Sequence, residues 1–119
     1  MTGPIVVGVD GTETASHAAA TAAELAGALG VTLHVICAYD KNRVAEREAN
    51  KIRATAPDLV SRAAQGSPGD ALVEVARSVS ASIIVVGNKR VQGISRVLGS
   101  VASDVAQHAP CDVHIVKTS

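Results

Sequence analysis

Aromatic side chains are almost missing from this chain: its 119 residues include one tyrosine, Tyr39, and no Phe or Trp. Proteins that hold single-stranded nucleic acid stack bases on aromatic platforms, so the composition argues against that class. An excess of either charge is missing too. The 11 Lys and Arg balance 11 Asp and Glu, which leaves no global field to draw the chain to nucleic acid or to an anionic membrane. No apolar run approaches the ~20 residues that span a bilayer. The N-terminus shows no basic region followed by an apolar stretch and a cleavage site. Cysteine is scarce: Cys37 and Cys111 stand far apart and form no C-x-x-C pair. Without an export signal they read as reduced thiols of a cytoplasmic protein.

Small apolar residues take the place of aromatics. The chain holds 21 Ala and 18 Val, so its core is expected to bring secondary structures close together on short side chains. The length suits one domain, residues 1–119, with a single core.

Two hydrophobic periods alternate along the chain. Pro4 to Asp10 reads as a short buried strand. Glu13 to Leu29 carries Ala15, Ala18, Ala22, Leu25, Ala26 and Leu29 on one helical stripe, and Gly30 is placed to end that helix. Val31 to Tyr39 is a second strand. Arg43 to Ala56 is a charged helix stopped by Pro57, and Leu59 to Ala64 is a weaker third strand. A helix follows "GSPGD", with Leu72, Val75, Ala76 and Val79 on one face. Ser82 to Gly87 is the fourth and most apolar strand, Ser100 to His108 a last helix, and Cys111 to Val116 a fifth strand.

This βαβαβαβαβ order predicts an α/β fold. Its apolar strands form a parallel five-stranded sheet covered by helices on both faces, a three-layer sandwich. Crossovers are right-handed, and ligands of such sheets bind beyond the carboxyl ends of the strands, where the winding reverses. The first and fourth strands are the expected neighbours there.

The stretch "VVGNKRVQGISRVLGSVASD", Val85 to Asp104, lies at that end. It gathers three glycines (Gly87, Gly93, Gly99) and three cations (Lys89, Arg90, Arg96), with no acid before Asp104. Gly87 is read as a turn that brings backbone close to a ligand. The unpaired first-turn amides of Val101, Ala102 and Ser103 attract anions, and Ser100 either caps the helix or offers its hydroxyl. A phosphate site is the sharper reading, and a solvated surface loop is the plainer one. No window fits a Walker A loop. "GVDGTE" after the first strand has an acid, Asp10, where a dinucleotide fingerprint needs glycine. A carboxylate there suits ribose hydroxyls, although it also serves as a helix N-terminal acid.

The four histidines, His17, His34, His108 and His114, lack metal-ligand spacing. No acid ends the fourth strand as a receiver domain requires, and no serine sits on a G-x-S-x-G elbow. The cysteines read as small core residues.

"PIVVGVDGTETASHAA", "GSPGDALVEVARSVSASIIVVGN" and "GISRVLGSVASDVAQHAPCDVHIVKT" together resemble the universal stress protein family over nearly the whole chain. The resemblance implies a Rossmann-like sheet of order 3-2-1-4-5 and a stress-response regulator. It also implies binding of an adenine nucleotide, ATP foremost, and a homodimer formed through the C-terminal strand. Magnesium can accompany ATP; no Asp/Glu pair near the loop is evident to hold it, which weighs against an ATP hydrolase. The family signature Gly-x2-Gly-x9-Gly-[Ser/Thr/Asn] maps onto Gly87 and Gly99-Ser100. The family acid falls on Asp10, and the adenine is implied to lie near Ala38. The nucleotide-binding set is therefore Gly8, Val9, Asp10, Ala38, Val86, Gly87, Asn88, Arg90, Gly99, Ser100 and Val101.

The chain departs from the pattern twice. Arg90 occupies the second signature glycine, with eight residues rather than nine between it and Gly99, and the segment after Tyr39 is shorter than the family's. An interaction module without nucleotide, a binder preferring AMP or cyclic AMP, and a slow ATP hydrolase are the alternatives.

Overall fold

The computed structural model describes residues 3–38, 42–89 and 99–118. Five strands and four helices alternate: β1 Ile5–Gly8, α1 Glu13–Leu29, β2 Leu33–Ala38, α2 Asn42–Ile52, β3 Leu59–Ala64, α3 Pro68–Val79, β4 Ile83–Lys89, α4 Ser100–His108 and β5 Asp112–Thr118. The sheet runs β3-β2-β1-β4-β5, parallel throughout. β1 lies at its centre, with Ile5 in register with Leu33 on one side and Ile83 on the other.

The central strands are apolar at consecutive positions because both faces are covered. Ile5, Val7, Leu33, Val35, Ile83 and Val85 pack under α1 and α2, while Val6, Ile36, Ile84 and Val86 pack under α3 and α4. Helix α1 buries six alanines (Ala15, Ala18, Ala19, Ala22, Ala23, Ala26), so it approaches the sheet with almost no side chain between. Gly30 ends α1 in the left-handed conformation (φ 68°), its N–H donating to Ala26 O.

Several boundaries differ from expectation for local reasons. β2 starts at Leu33, not Val31, because the Val31 N–H still donates to Ala26 O and closes the helix end. α2 ends at Ile52, short of Ala56. The N–H groups of Thr55 and Ala56 both turn back to Ile52 O, and Ala56, preceding Pro57, is driven from the helical region. β4 does not stop at Gly87. It continues to Lys89, with Gly87 beside Val116 and Asn88 beside Lys117, which carries β5 on to Thr118.

Candidate functional site

A cleft of about 310 Å³ opens at the carboxyl ends of β1, β2 and β4, within the size range of small-ligand sites. Gly8, Val9 and Asp10 line it from β1, Ala38 from β2, Val86 and Gly87 from β4, and Val101 from the first turn of α4. The fold thus gathers these expected residues around the switch point between β1 and β4. Asn88, Gly99 and Ser100 adjoin the cleft, and Arg90 lies outside the described residues.

The start of α1 adds Thr12, Thr14 and Ala15, β2 adds Ile36 and Cys37, and α3 adds Pro68, Ala71 and Leu72. These were missed because each also satisfies a core pattern. Leu72 belongs to the apolar stripe of α3, and Cys37 is 2% exposed as a core residue would be. A usable signal lay in the topology: in a 3-2-1-4-5 sheet, α1, α3 and α4 all begin at this end.

Those three helix starts differ in charge. The hydroxyl of Thr12 caps α1 by accepting from Ala15 N–H at 3.2 Å, and Glu13 stands in its first turn. Asp70 stands in the first turn of α3. The start of α4 has no acid in its first turn, and its N-cap is Gly99, which has no side chain to cap with. Only there does the positive end of the helix dipole face the cleft without a compensating group.

Two assignments at α4 change. Ser100 is the first helical residue and does not cap; it is exposed, with its hydroxyl available. Ser103 is not a free donor, because its N–H donates to Gly99 O at 2.9 Å. The first-turn amides without an intrahelical acceptor are those of Ser100, Val101 and Ala102. The Gly99 N–H donates to Asn88 Oδ1 at 2.7 Å, which ties the end of β4 to the start of α4.

Gly87 also has a different role from the expected turn. It lies within β4, where a Cβ would sit 2.8 Å from Thr14 O and 2.9 Å from Thr14 Cγ2. Its missing side chain admits the first turn of α1 to the sheet. Among the described residues a Cβ on Gly99 would meet only Asn88 Oδ1, at 3.4 Å, and its φ of −64° and ψ of 163° suit any residue. The fold needs glycine at 87, whereas among the described residues nothing requires it at 99.

Asp10 serves the start of α1. Its Oδ1 accepts from Thr12 N–H at 2.9 Å and from Thr12 Oγ1–H at 2.6 Å, so it steadies the α1 cap. Its Oδ2 has no hydrogen-bond partner among the described residues. Among those residues no group of three or more His, Cys, Asp or Glu is placed to hold a metal ion, and no helix is long and apolar enough to cross a membrane.

The arrangement is an apolar slot with a carboxylate on one side and uncompensated amide donors on the other. Comparisons with known proteins agree with this fold. A solved universal stress protein in complex with cAMP superposes with a TM-score of 0.87 at 35% identity, covering 99% of this chain and 98% of that one. The universal stress protein of Archaeoglobus fulgidus in complex with dAMP superposes at 0.75 with 27% identity, covering 96% and 97%. Universal stress protein Rv1636 of Mycobacterium tuberculosis is 33% identical over 97% of this chain and 96% of its own length. That alignment runs over 141 positions against the 119 residues here, so the relative carries residues this chain lacks. With the model of the "Universal stress protein family" matching residues 1–117, the chain belongs to the universal stress protein family.

Proposed function

We propose that the protein is a stress-response regulator that holds an adenine nucleotide in this cleft. The observation that carries the reading is the start of α4, where Val101 lines the cleft and the first turn has neither an acid nor a capping side chain. A phosphate group there takes N–H donors from Ser100 to Ala102 and the Ser100 hydroxyl, and meets the positive end of the helix dipole. The free Oδ2 of Asp10 accepts from ribose hydroxyls across the cleft. The adenine ring enters the apolar slot between Ala38, Ile36 and Leu72, which receives a flat heterocycle without stranding polar groups.

ATP is the first nucleotide we assign, its α-phosphate on the α4 donors and the outer phosphates toward Arg90. Any magnesium ion would be carried on those phosphates. A monophosphate reading has its own support: the two related complexes named above hold cAMP and dAMP, and Arg90 replaces a signature glycine in a loop one residue short. In either case the protein acts by changing what it binds to as the nucleotide pool changes, and it assembles as a homodimer through β5.

Thermal melting with and without ligand tests the reading, because a ligand of the native state raises the transition temperature. ATP, AMP and cyclic AMP should raise it and GTP should not. No shift with any adenine nucleotide at millimolar concentration contradicts the proposal.

A further inference from the structure

The helix that follows β2 puts two cations where they do not help the fold. Arg43 and Arg47 stand four residues apart on α2, an i,i+4 pair of like charges that disfavours a helix. Arg43 lies in its first turn, which holds no acid, so the helix dipole opposes that charge as well; Arg47 stands at mid-helix. Both are exposed. Among the described residues neither makes an ion pair, the two there being Lys51–Glu48 and Arg77–Glu74.

Their place explains the arrangement. Only residues 39–41 separate Ala38 from Asn42, so α2 begins beside the cleft mouth. The buried Glu48 accepts from Ser16 Oγ–H of α1 at 2.6 Å and pins α2 against α1. The preceding residue, Arg47, is thereby held over the β1–α1 loop. A Cβ built on Gly11 would lie 3.4 Å from Arg47 Nη2 and 3.8 Å from Val44 Cγ1. Gly11 stands between Asp10 and Thr12, both of which line the cleft. A guanidinium therefore stands beside the loop that carries Asp10 and Thr12.

We infer that Arg47 is a specificity-determining residue for an adenine nucleotide bearing a phosphate on the 2′- or 3′-oxygen of its ribose. The inference rests on the proposed orientation, with ribose at Asp10 and 5′-phosphate at α4. A phosphate on the ribose then lies beside Gly11, within the span of a guanidinium that offers it a forked donor. The Asp10 carboxylate opposes that charge. Its Oδ1 is already engaged by Thr12, and Arg43 adds a second positive charge one turn away on the same helix.

Calorimetry on the full chain tests this with AMP, adenosine 3′,5′-bisphosphate and adenosine 2′,5′-bisphosphate. At least one bisphosphate should bind about tenfold or more tightly than AMP, the equivalent of one charge-assisted hydrogen bond. Arg47→Ala should erase that preference while changing AMP affinity by less than about threefold, and Arg47→Lys should restore part of it. AMP binding with no preference for either bisphosphate overturns this inference and leaves the proposed function standing. An equal loss for AMP and the bisphosphates in Arg47→Ala assigns the residue a structural role and also overturns it. Binding of none of the three overturns this inference, and absence of ATP and cyclic AMP binding as well overturns the proposed function.

Discussion

Asn88 and Gly99 are joined by a hydrogen bond of 2.7 Å from the Gly99 N–H to Asn88 Oδ1. It holds the end of β4 against the N-cap of α4 across eleven positions of chain. Asn88 was expected among the phosphate ligands; here its side-chain oxygen fixes the donor platform. Asn88→Ala should weaken AMP or ATP binding severalfold by releasing that platform. Asn88→Asp keeps an acceptor but sets a negative charge beside the phosphate, so it should weaken nucleotides more than Asn88→Ala does and leave adenosine less affected. Equal losses for adenosine and AMP in Asn88→Asp would contradict this role.

The two signature glycines should separate stability from binding. Gly87→Ala drives a Cβ against the backbone oxygen of Thr14, and overpacking of this kind costs about 1–3 kcal/mol. Gly99→Ala meets no comparable obstacle and should unfold within about 0.5 kcal/mol of the parent. Urea titrations of the two variants give the comparison, and a larger loss at Gly99 than at Gly87 would reverse the assignment.

His34 makes stability depend on pH. Its Nδ1 is buried without a hydrogen-bond partner among the described residues. Burial, followed by the Arg62 cation, holds its pKa below the usual histidine range, with Asp58 pulling the other way. The unfolded chain therefore binds the proton more tightly than the folded one. The contribution of neutral His34 is complete above the unfolded value of about 6.5 and is lost as pH falls below it toward the folded value. Urea midpoints measured from pH 7.5 down to 5 should fall more steeply for the parent than for His34→Gln. Parallel profiles would remove the histidine from the account.

Strand β5 is a sheet edge, and unpaired edges invite partners. Of its three apolar residues, Val116 is buried in the core, Val113 packs partly under α3 and α4, and Ile115 is 36% exposed. The protein should show twice its chain mass by light scattering at micromolar concentration. Ile115→Lys, a charged substitution that edge strands use against pairing, should halve it. A monomeric parent would leave the edge without this role.

Much of the fold was legible because each element's period agreed with its neighbours'. The unbroken apolar run Ile83–Val86 could only be a strand buried on both faces, and the alanine stripe of α1 matched a helix laid close on a sheet. The cleft's general place followed from topology. Its finer workings did not. Gly87 looked like a turn because a sequence shows that glycine is present but not which neighbour needs the space; only the approach of Thr14 reveals it. Ser100 looked like a cap because helix ends are set by backbone angles at a single residue, here Gly99. Arg47 looked like one charge of a solvated helix, since nothing in its own segment says that its side chain lies beside Gly11 of the β1–α1 loop.

The central claim, an adenine nucleotide held by its phosphate at the start of α4, is tested most directly by titration calorimetry of the parent and Gly99→Val with ATP, AMP, cyclic AMP and adenosine. Circular dichroism of the variant serves as the check on folding. The parent should bind the phosphorylated ligands more tightly than adenosine. The variant should keep the parent's spectrum and lose that advantage, because its side chain fills the space the phosphate takes. Unchanged nucleotide affinity in a folded Gly99→Val protein would contradict the account.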